Sequence, residues 1–201
     1  MEAMARAYER TGRTSQKART RAALVDAATA LIGEGVPPTV EQVADRAQVG
    51  RATAYRYFPN QDELWAATYP ETERPSLLEL ESDDPVARLD AVVEAFTRQM
   101  VDHEPLLRAM LRRALDPARD GEPVPFRVGR RLLWLEDALE PLRDRLPEAD
   151  FARLVRAIGA TVGIEALVWL TDMGGLSRED AVAVMRRSAR TLLEGTLAEA
   201  G

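Results

Sequence analysis

Apolar residues recur at intervals of three and four along most of this chain, and no stretch alternates apolar and polar residues with period two. Spacings of three and four are typical of a helix with one buried face, whereas alternation is typical of a half-buried β-strand. The sequence therefore predicts an all-α protein. Its 201 residues are enough for a small N-terminal domain and a larger helical body.

The first helix is predicted to begin at Thr14 or Ser15, since either residue can serve as its N-cap, and to end near Gly33. Residues 1–14 are then expected to form a basic, flexible arm.

A second, short helix is indicated by Thr39 and Gln42, which have the spacing of a capping box. Gln48, Val49 and Gly50 leave room for only a tight turn before another short helix begins. Two short helices joined by a tight turn form a helix-turn-helix motif.

The helix after this turn separates an apolar side from a side suited to DNA. Val49, Ala54 and Phe58 fall on the apolar side. Arginine can pair with guanine, alanine and threonine methyl groups can contact thymine, and a tyrosine hydroxyl can donate to phosphate. The predicted DNA contacts are Arg51, Ala52, Thr53, Tyr55, Arg56 and Tyr57, with both tyrosines as phosphate donors. The alternative, in which the aromatic residues only pack the helix, is accepted for Phe58.

Residues 20–66 resemble the DNA-binding domain of the TetR family of bacterial transcriptional regulators. The segment 53–58, TAYRYF, is similar to that family's signature Thr-aliphatic-Tyr-x-(Tyr/His)-Phe, and residues 62–64 resemble the start of its fourth helix. The resemblance implies a three-helix DNA-binding domain over residues 15–60. It also implies that residues 61–201 form a larger helical bundle that binds an effector and dimerises.

Four residues depart from the family pattern. Gln48 stands where the family has a turn glycine, so either Gln48 adopts a left-handed conformation or the turn differs. Gly50 replaces a serine N-cap, Ala54 replaces a larger aliphatic residue, and Gln61 replaces a lysine that often contacts phosphate. The predicted DNA-contacting set is completed by Arg19, Thr39, Asn60 and Gln61.

Further apolar stripes predict the helices of the body. A fourth helix runs from Gln61 toward Pro70, and the stretch 71–85 is a poor continuous helix. Two amphipathic helices are predicted over 86–100 and 106–115, and a loop follows over 116–125.

The C-terminal half is predicted to contain three longer helices. One covers 132–146 with a kink at Pro141, and one covers 151–169 with apolar residues nearly all round. Charged residues within the second of these argue against a membrane span. Ser177 is expected to cap the last helix.

The last two helices carry more apolar surface than one subunit is expected to cover. This favours an intermolecular four-helix bundle, similar to the homodimer interface of the TetR family. The predicted interface residues are Ile158, Val162, Val182, Met185, Ala189, Leu192 and Leu193. The alternative is that these stripes pack only within the monomer.

By resemblance, the body binds a small effector, and methionine beside aromatic residues suits a hydrophobic one. The candidate effector-binding residues are Phe96, Met100, His103, Met110, Trp134 and Trp169. Each of these is also compatible with plain core packing or, for His103, with a position at a helix end.

Charge is distributed unevenly along the chain, whose net charge is -6. Residues 1–60 carry nine basic and six acidic side chains, whereas the remainder carries 18 and 27. A basic DNA-binding domain on an acidic body has this pattern, because only the former meets phosphate.

Composition disfavours several other classes of protein. The sequence has no cysteine and one histidine, so we expect no metal site, and no pattern of catalytic residues or cofactor-binding motif indicates an enzyme. No signal peptide is evident, so a cytoplasmic protein is expected. The predicted function is a ligand-responsive repressor that binds an inverted-repeat DNA operator as a homodimer. The alternatives are an activator without a small ligand and a helical scaffold with a basic head.

Overall fold

The computed structural model describes residues 2–35, 37–68, 74–115 and 129–200, which contain ten α-helices and no β-strand. The chain divides into two units, Met1–Thr72 and Glu73–Gly201. The predicted all-α fold, with a helix-turn-helix in the N-terminal part, is confirmed.

The N-terminal unit contains four helices around a small apolar core. Helix α1 packs against α2 and α4, and α2 packs against α3. The helices are α1 (Glu2–Gly33), α2 (Val40–Arg46), α3 (Arg51–Tyr57) and α4 (Gln61–Thr68). The fully buried core side chains are Leu24, Ala28, Val43, Ala44, Ala54 and Leu64.

The start of α1 differs from the sequence prediction. The helix begins at Glu2, so neither Thr14 nor Ser15 is its N-cap, and the structure has helix where a flexible arm is predicted. The physical reason is composition: residues 2–10 are EAMARAYER, which are mostly good helix formers, and no proline occurs before Pro37.

Helix α4 belongs to the N-terminal unit, Met1–Thr72, whereas the sequence pattern places a domain boundary after residue 60. Leu64 and Trp65 are buried in this unit. The Trp65 indole N–H donates to the Pro38 carbonyl at 2.9 Å, which ties α4 to the chain just before α2.

The second unit is a bundle in which α10 packs on α5 and α8, and α7 packs on α5 and α8. Its helices are α5 (Pro85–Asp102), α6 (Glu104–Ala114), α7 (Gly129–Ala138), α8 (Glu148–Thr161), α9 (Ile164–Val168) and α10 (Arg178–Ala200). Asp84 caps α5 by accepting from the Val86 N–H at 3.1 Å. The predicted cap of α10 is confirmed: Ser177 Oγ accepts from the Asp180 N–H at 3.0 Å.

Two of the long helices predicted from sequence are interrupted. Helix α7 ends at Ala138 and a 3₁₀ turn follows (Glu140–Leu142), so Pro141 ends the helix rather than kinking it. Proline has no N–H to donate, and its ring clashes with the carbonyl four residues earlier. The predicted loop over 116–125 lies outside the described residues.

The second interruption lies at Gly163, between α8 and α9. The glycine has an extended backbone (ψ 174°), and a Cβ atom there would lie 1.6 Å from Arg131 Nη1. A single helix over 151–169 is therefore not formed. A π-helical turn (Trp169–Met173) follows α9.

The stretch Glu148–Met173 is long and apolar enough to cross a membrane by length and composition, a test that a core helix can also pass. In this unit Ile158, Val162 and Leu167 from the stretch are fully buried in the apolar core.

A buried carboxylate joins three parts of the second unit. Glu104 at the start of α6 accepts from Arg108 at 2.6 Å and from Arg178 of α10 at 3.2 Å. Arg108 also donates to Asp172 of the π-helical turn at 2.6 and 2.8 Å. Burial raises the pKa of Glu104, but hydrogen bonds from the two arginines outweigh it and hold that pKa below its ordinary value.

Candidate nucleic-acid interface

Helix α3 exposes most of the side chains that the sequence assigns to DNA. Ala54 and Phe58 are buried in the N-terminal unit, as predicted, and Val49 is half-buried. Arg51, Ala52, Tyr55 and Arg56 are exposed, and Thr53 and Tyr57 are half-buried. Because one face is anchored by apolar residues, the other face is presented on a fixed backbone.

The turn before α3 contains a residue in the left-handed conformation, which is one of the two possibilities that the sequence leaves open for Gln48. Gln48 has φ 54°, in the left-handed region. Gly50 is the N-cap of α3 and offers no side chain, but its carbonyl accepts from Thr53 N at 2.8 Å and from Ala54 N at 3.0 Å. The predicted capping box at Thr39 and Gln42 is also present, with N···O distances of 3.2 and 2.7 Å.

Two carboxylates of α2 contact the exposed face of α3. The Tyr55 hydroxyl donates to Glu41, and Arg51 Nη2 lies 3.4 Å from Asp45 Oδ2. Glu41 and Asp45 are one helical turn apart on α2, as Arg51 and Tyr55 are on α3. At this exposed junction α3 therefore supplies the donors and α2 supplies the acceptors.

The contact between Glu41 and Tyr55 shifts the pKa of both groups. The hydrogen bond from Tyr55 lowers the pKa of Glu41, and nearby Arg51 acts in the same direction. The same bond raises the pKa of Tyr55, because a phenolate beside a carboxylate is disfavoured. At neutral pH the pair is therefore a carboxylate and a protonated phenol whose proton points at Glu41.

The remaining predicted contacts are distributed around the helix-turn-helix. Arg19 is exposed on α1, and the Arg56 guanidinium lies 5.9 Å from the centre of the Tyr57 ring. Asn60 caps α4 by accepting from the Glu63 N–H at 2.9 Å. The Gln61 side-chain amide donates to the Pro38 carbonyl at 3.2 Å, so this hydrogen bond joins the start of α4 to the chain before α2.

Sequence reasoning missed Glu41, Asp45 and Arg21. Arg21 of α1 lies over the Phe58 ring, 5.5 Å from its centre. The spacing of four between the two carboxylates matches that of Arg51 and Tyr55 on the facing helix, but spacing alone does not show which residues meet.

In the second unit, the structure brings two of the predicted effector-binding residues together. The Phe96 and Trp134 rings have centres 5.9 Å apart. They border a closely packed crevice with no room for a water molecule, whose lining is Val92, Val93, Phe96, Arg131, Trp134 and Leu135. An ordinary ligand pocket has roughly 300 Å³, so this crevice is not a preformed ligand pocket. Met100 is fully buried in the same unit.

The other candidate effector residues lie elsewhere. His103 is at the junction of α5 and α6, where its Nδ1 lies 3.0 Å from the Gln99 carbonyl, and Met110 is half-buried on α6. Trp169 is 59% exposed. This residue begins the π-helical turn after α9, so in the single subunit it lies on the surface and apart from Phe96 and Trp134.

Most of the predicted dimer-interface residues are core residues of a single subunit. Five of them are at most 1% exposed: Ile158, Val162, Met185, Ala189 and Leu193. These five side chains pack within the subunit, where α10 also packs on α5. Their burial favours the monomer-packing alternative, whereas Val182 and Leu192 are half-buried.

Comparisons with known proteins agree with this geometry. Residues 24–68 match the model of the family described as bacterial regulatory proteins, tetR family. A search of curated proteins gives no match. The fold is similar to the crystal structure of a TetR transcriptional regulator from Rhodococcus sp. RHA1, at 22% identity and a TM-score of 0.57, over 87% of this chain and 96% of that one. The helix-turn-helix and its fourth helix thus identify the N-terminal part of this chain as the DNA-binding domain of the tetR family of bacterial regulatory proteins.

Proposed function

We propose that this protein is a transcriptional repressor that binds an inverted-repeat DNA operator as a homodimer and leaves it when a small effector binds. The observation that carries the proposal is helix α3, which buries Ala54 and Phe58 and exposes Arg51, Tyr55 and Arg56. A helix with this division can enter the major groove, which is about 12 Å wide.

Base recognition is assigned first to Arg51. Its guanidinium is exposed and its ion pair with Asp45 is long, at 3.4 Å, so it can exchange that partner for the O6 and N7 acceptors of guanine. Arg56 and Tyr57 follow on the same helix and are assigned to phosphates, which set the register of the helix on DNA.

Dimerisation is supported by the exposed apolar surface of the second unit. Trp169 is 59% exposed, Met173 is 77% exposed and Val184 of α10 is 41% exposed. Large apolar side chains grouped on packed elements indicate an interaction surface, since water contact with them is unfavourable. A two-fold dimer would present two α3 helices to successive major grooves, about 34–36 Å apart, and so read an inverted repeat.

The effector site is assigned to the space beside Phe96 and Trp134. It is lined by apolar and aromatic side chains with one cation, Arg131, which suits a small hydrophobic molecule. Binding requires this space to widen. An effector that binds the widened form better than the DNA-bound form shifts the dimer toward release.

The proposal is tested by selecting fragmented genomic DNA with the purified protein at physiological salt and sequencing the retained fragments. An enriched inverted repeat is the expected result. Retention that is independent of sequence, or no retention, would overturn the proposal and favour a helical scaffold with a basic head. Raised salt is the control for electrostatic binding, because non-specific affinity falls steeply with salt concentration.

The sign of regulation is tested with the recovered site placed upstream of a reporter gene. Expression of the protein should lower reporter output, and mutation of both half-sites should restore it. Higher output in the presence of the protein would identify an activator and contradict the repressor assignment.

A further inference from the structure

A negatively charged side chain, Glu41, lies at the exposed junction between α2 and α3. A surface that only binds phosphate would not be expected to carry a negative charge there. Glu41 lies in the first turn of α2 and its carboxylate accepts the hydroxyl proton of Tyr55. Tyr55 is 40% exposed and lies one turn along α3 from Arg51. An acceptor-only group therefore stands among the side chains that meet DNA.

This position is unfavourable for contact with the DNA backbone. Phosphates and Glu41 are both negative, so each repels the other at close range. Tyr55 has a single hydroxyl proton, and while Glu41 accepts it, only lone pairs of the tyrosine oxygen face outward. The pair presents acceptors, and its natural partner on DNA is a hydrogen-bond donor.

Donors on the surface of the major groove are the exocyclic amino groups of the bases. Cytosine offers N4, and a glutamate carboxylate accepts from it. The Tyr55 hydroxyl, the Thr39 side chain and the Glu41 backbone N–H all donate to this carboxylate and hold it in place. A carboxylate has about four lone-pair sites, so one is left for such a contact. The charge of Arg51 contributes to the lowered pKa of Glu41, so the carboxylate stays ionised at neutral pH.

We propose that Glu41 is a specificity-determining residue that reads the N4 amino group of a cytosine in each half-site, with Tyr55 as the residue that positions its carboxylate. The proposal rests on the proposed DNA-binding function. It replaces the phosphate-donor role that the sequence pattern suggests for Tyr55, since the proton needed for that role is directed at Glu41.

The test is selection of duplexes from a random-sequence DNA library by wild-type protein and by three variants, followed by sequencing. Glu41→Gln should change the preferred base at one position of each half-site from cytosine to adenine, because an amide pairs with adenine N6 and N7. Glu41→Ala should lose preference there by about tenfold, in line with the energy of one base contact. Tyr55→Phe should weaken the cytosine preference at the same position.

Asp26→Asn is the matched control, because it removes one exposed carboxylate from α1 of the same unit. This variant should select the wild-type motif unchanged. Circular dichroism and thermal unfolding of each variant confirm that the helix-turn-helix is folded before its motif is compared.

The outcomes separate the inference from the proposed function. If wild type selects no motif, the proposed function fails and base reading by Glu41 fails with it. If wild type selects a motif that Glu41→Gln and Glu41→Ala leave unchanged at every position, the function stands and the inference is overturned. Uniform loss of affinity for Tyr55→Phe across all sequences would restore its phosphate role and contradict its positioning of Glu41.

Discussion

At the scale of single residues, backbone strain and charge pairing are the features with the clearest consequences. Gln48 adopts φ 54°, a conformation in which an L side chain crowds the backbone and glycine does not. Glu104 and Asp172 hold their charges against two arginines in the second unit. Each feature leads to a change that can be measured in the isolated protein.

Gln48→Gly should stabilise the protein by about 1 kcal/mol, because the left-handed conformation costs a side-chain residue roughly 1–2 kcal/mol and glycine loses extra entropy on folding. The free energy of unfolding from urea titration is the measurement. Gln48→Ala is the control, since it removes the same polar group and keeps the Cβ. Equal gains from both variants would locate the effect in the lost amide and not in the backbone.

Asp172 gives stability a defined pH dependence. A hydrogen bond from Arg108 lowers the pKa of Asp172 from 3.8 to about 2. A carboxyl with a lowered pKa in the folded state stabilises the protein above its unfolded pKa, and this contribution is lost as pH falls through the folded pKa.

The urea midpoint should therefore fall between about pH 4 and pH 2 in wild type. Asp172→Asn should lower the midpoint at pH 6 and show a shallower fall over the acid range. Asp144→Asn, which changes another exposed aspartate of the same unit, is the control. A variant curve parallel to wild type from pH 6 to pH 2 would show that the ion pair with Arg108 contributes nothing.

At the scale of helices, the sequence predicts the capped starts of α2 and α10 more reliably than interruptions or the start of α1. The capping box at Thr39 and the N-cap at Ser177 are local patterns, so a few residues suffice to define them. The break at Gly163 depends on Arg131 of another helix, which occupies the space that a side chain at 163 would need. Information of that kind is tertiary and does not appear in the periodicity of one segment.

The same distinction explains what the sequence predicts of the DNA-binding surface. The exposed face of α3 follows from helical spacing and is confirmed for Arg51, Tyr55 and Arg56. The contact between Glu41 and Tyr55 depends on how α2 and α3 pack across the turn, 14 residues apart in sequence. The register of two packed helices is therefore the part that spacing within either helix cannot supply.

The docking of α4 gives a prediction at this scale. Trp65→Phe removes the indole donor to the Pro38 carbonyl, which keeps its bond from Gln61, so the loss of one hydrogen bond should cost about 0.5–1.5 kcal/mol. Thermal unfolding followed by circular dichroism is the measurement. Leu133→Ala, which truncates a side chain that is 54% exposed in the second unit, is the control and should change stability by less than about 0.5 kcal/mol. Similar losses in both variants would contradict the role of the indole bond.

At the scale of the whole molecule, some apolar residues pack in the core of one subunit and others are exposed on its surface. Apolar periodicity alone does not separate these classes, and for this reason Ile158, Met185 and Leu193 are predicted at a dimer interface although they lie in the core. The exposed class on the C-terminal elements is Trp169, Met173 and Val184. These side chains carry the proposed dimerisation.

Trp169→Ser should convert the dimer to monomer at micromolar concentration, because burying one large aromatic side chain in each of two symmetric contacts contributes about 1.5–3 kcal/mol per subunit. Sedimentation velocity over a concentration series measures the change. Leu133→Ser is the matched control, since Leu133 is 54% exposed on α7 and also loses an apolar side chain. Helical content should be unchanged in both variants. The operator affinity of the Trp169 variant should fall as dimerisation is lost, because one DNA-binding domain reads only half of an inverted repeat. A wild-type protein that sediments as a monomer at every concentration, or a Trp169 variant that stays dimeric, would show that this surface does not join two copies.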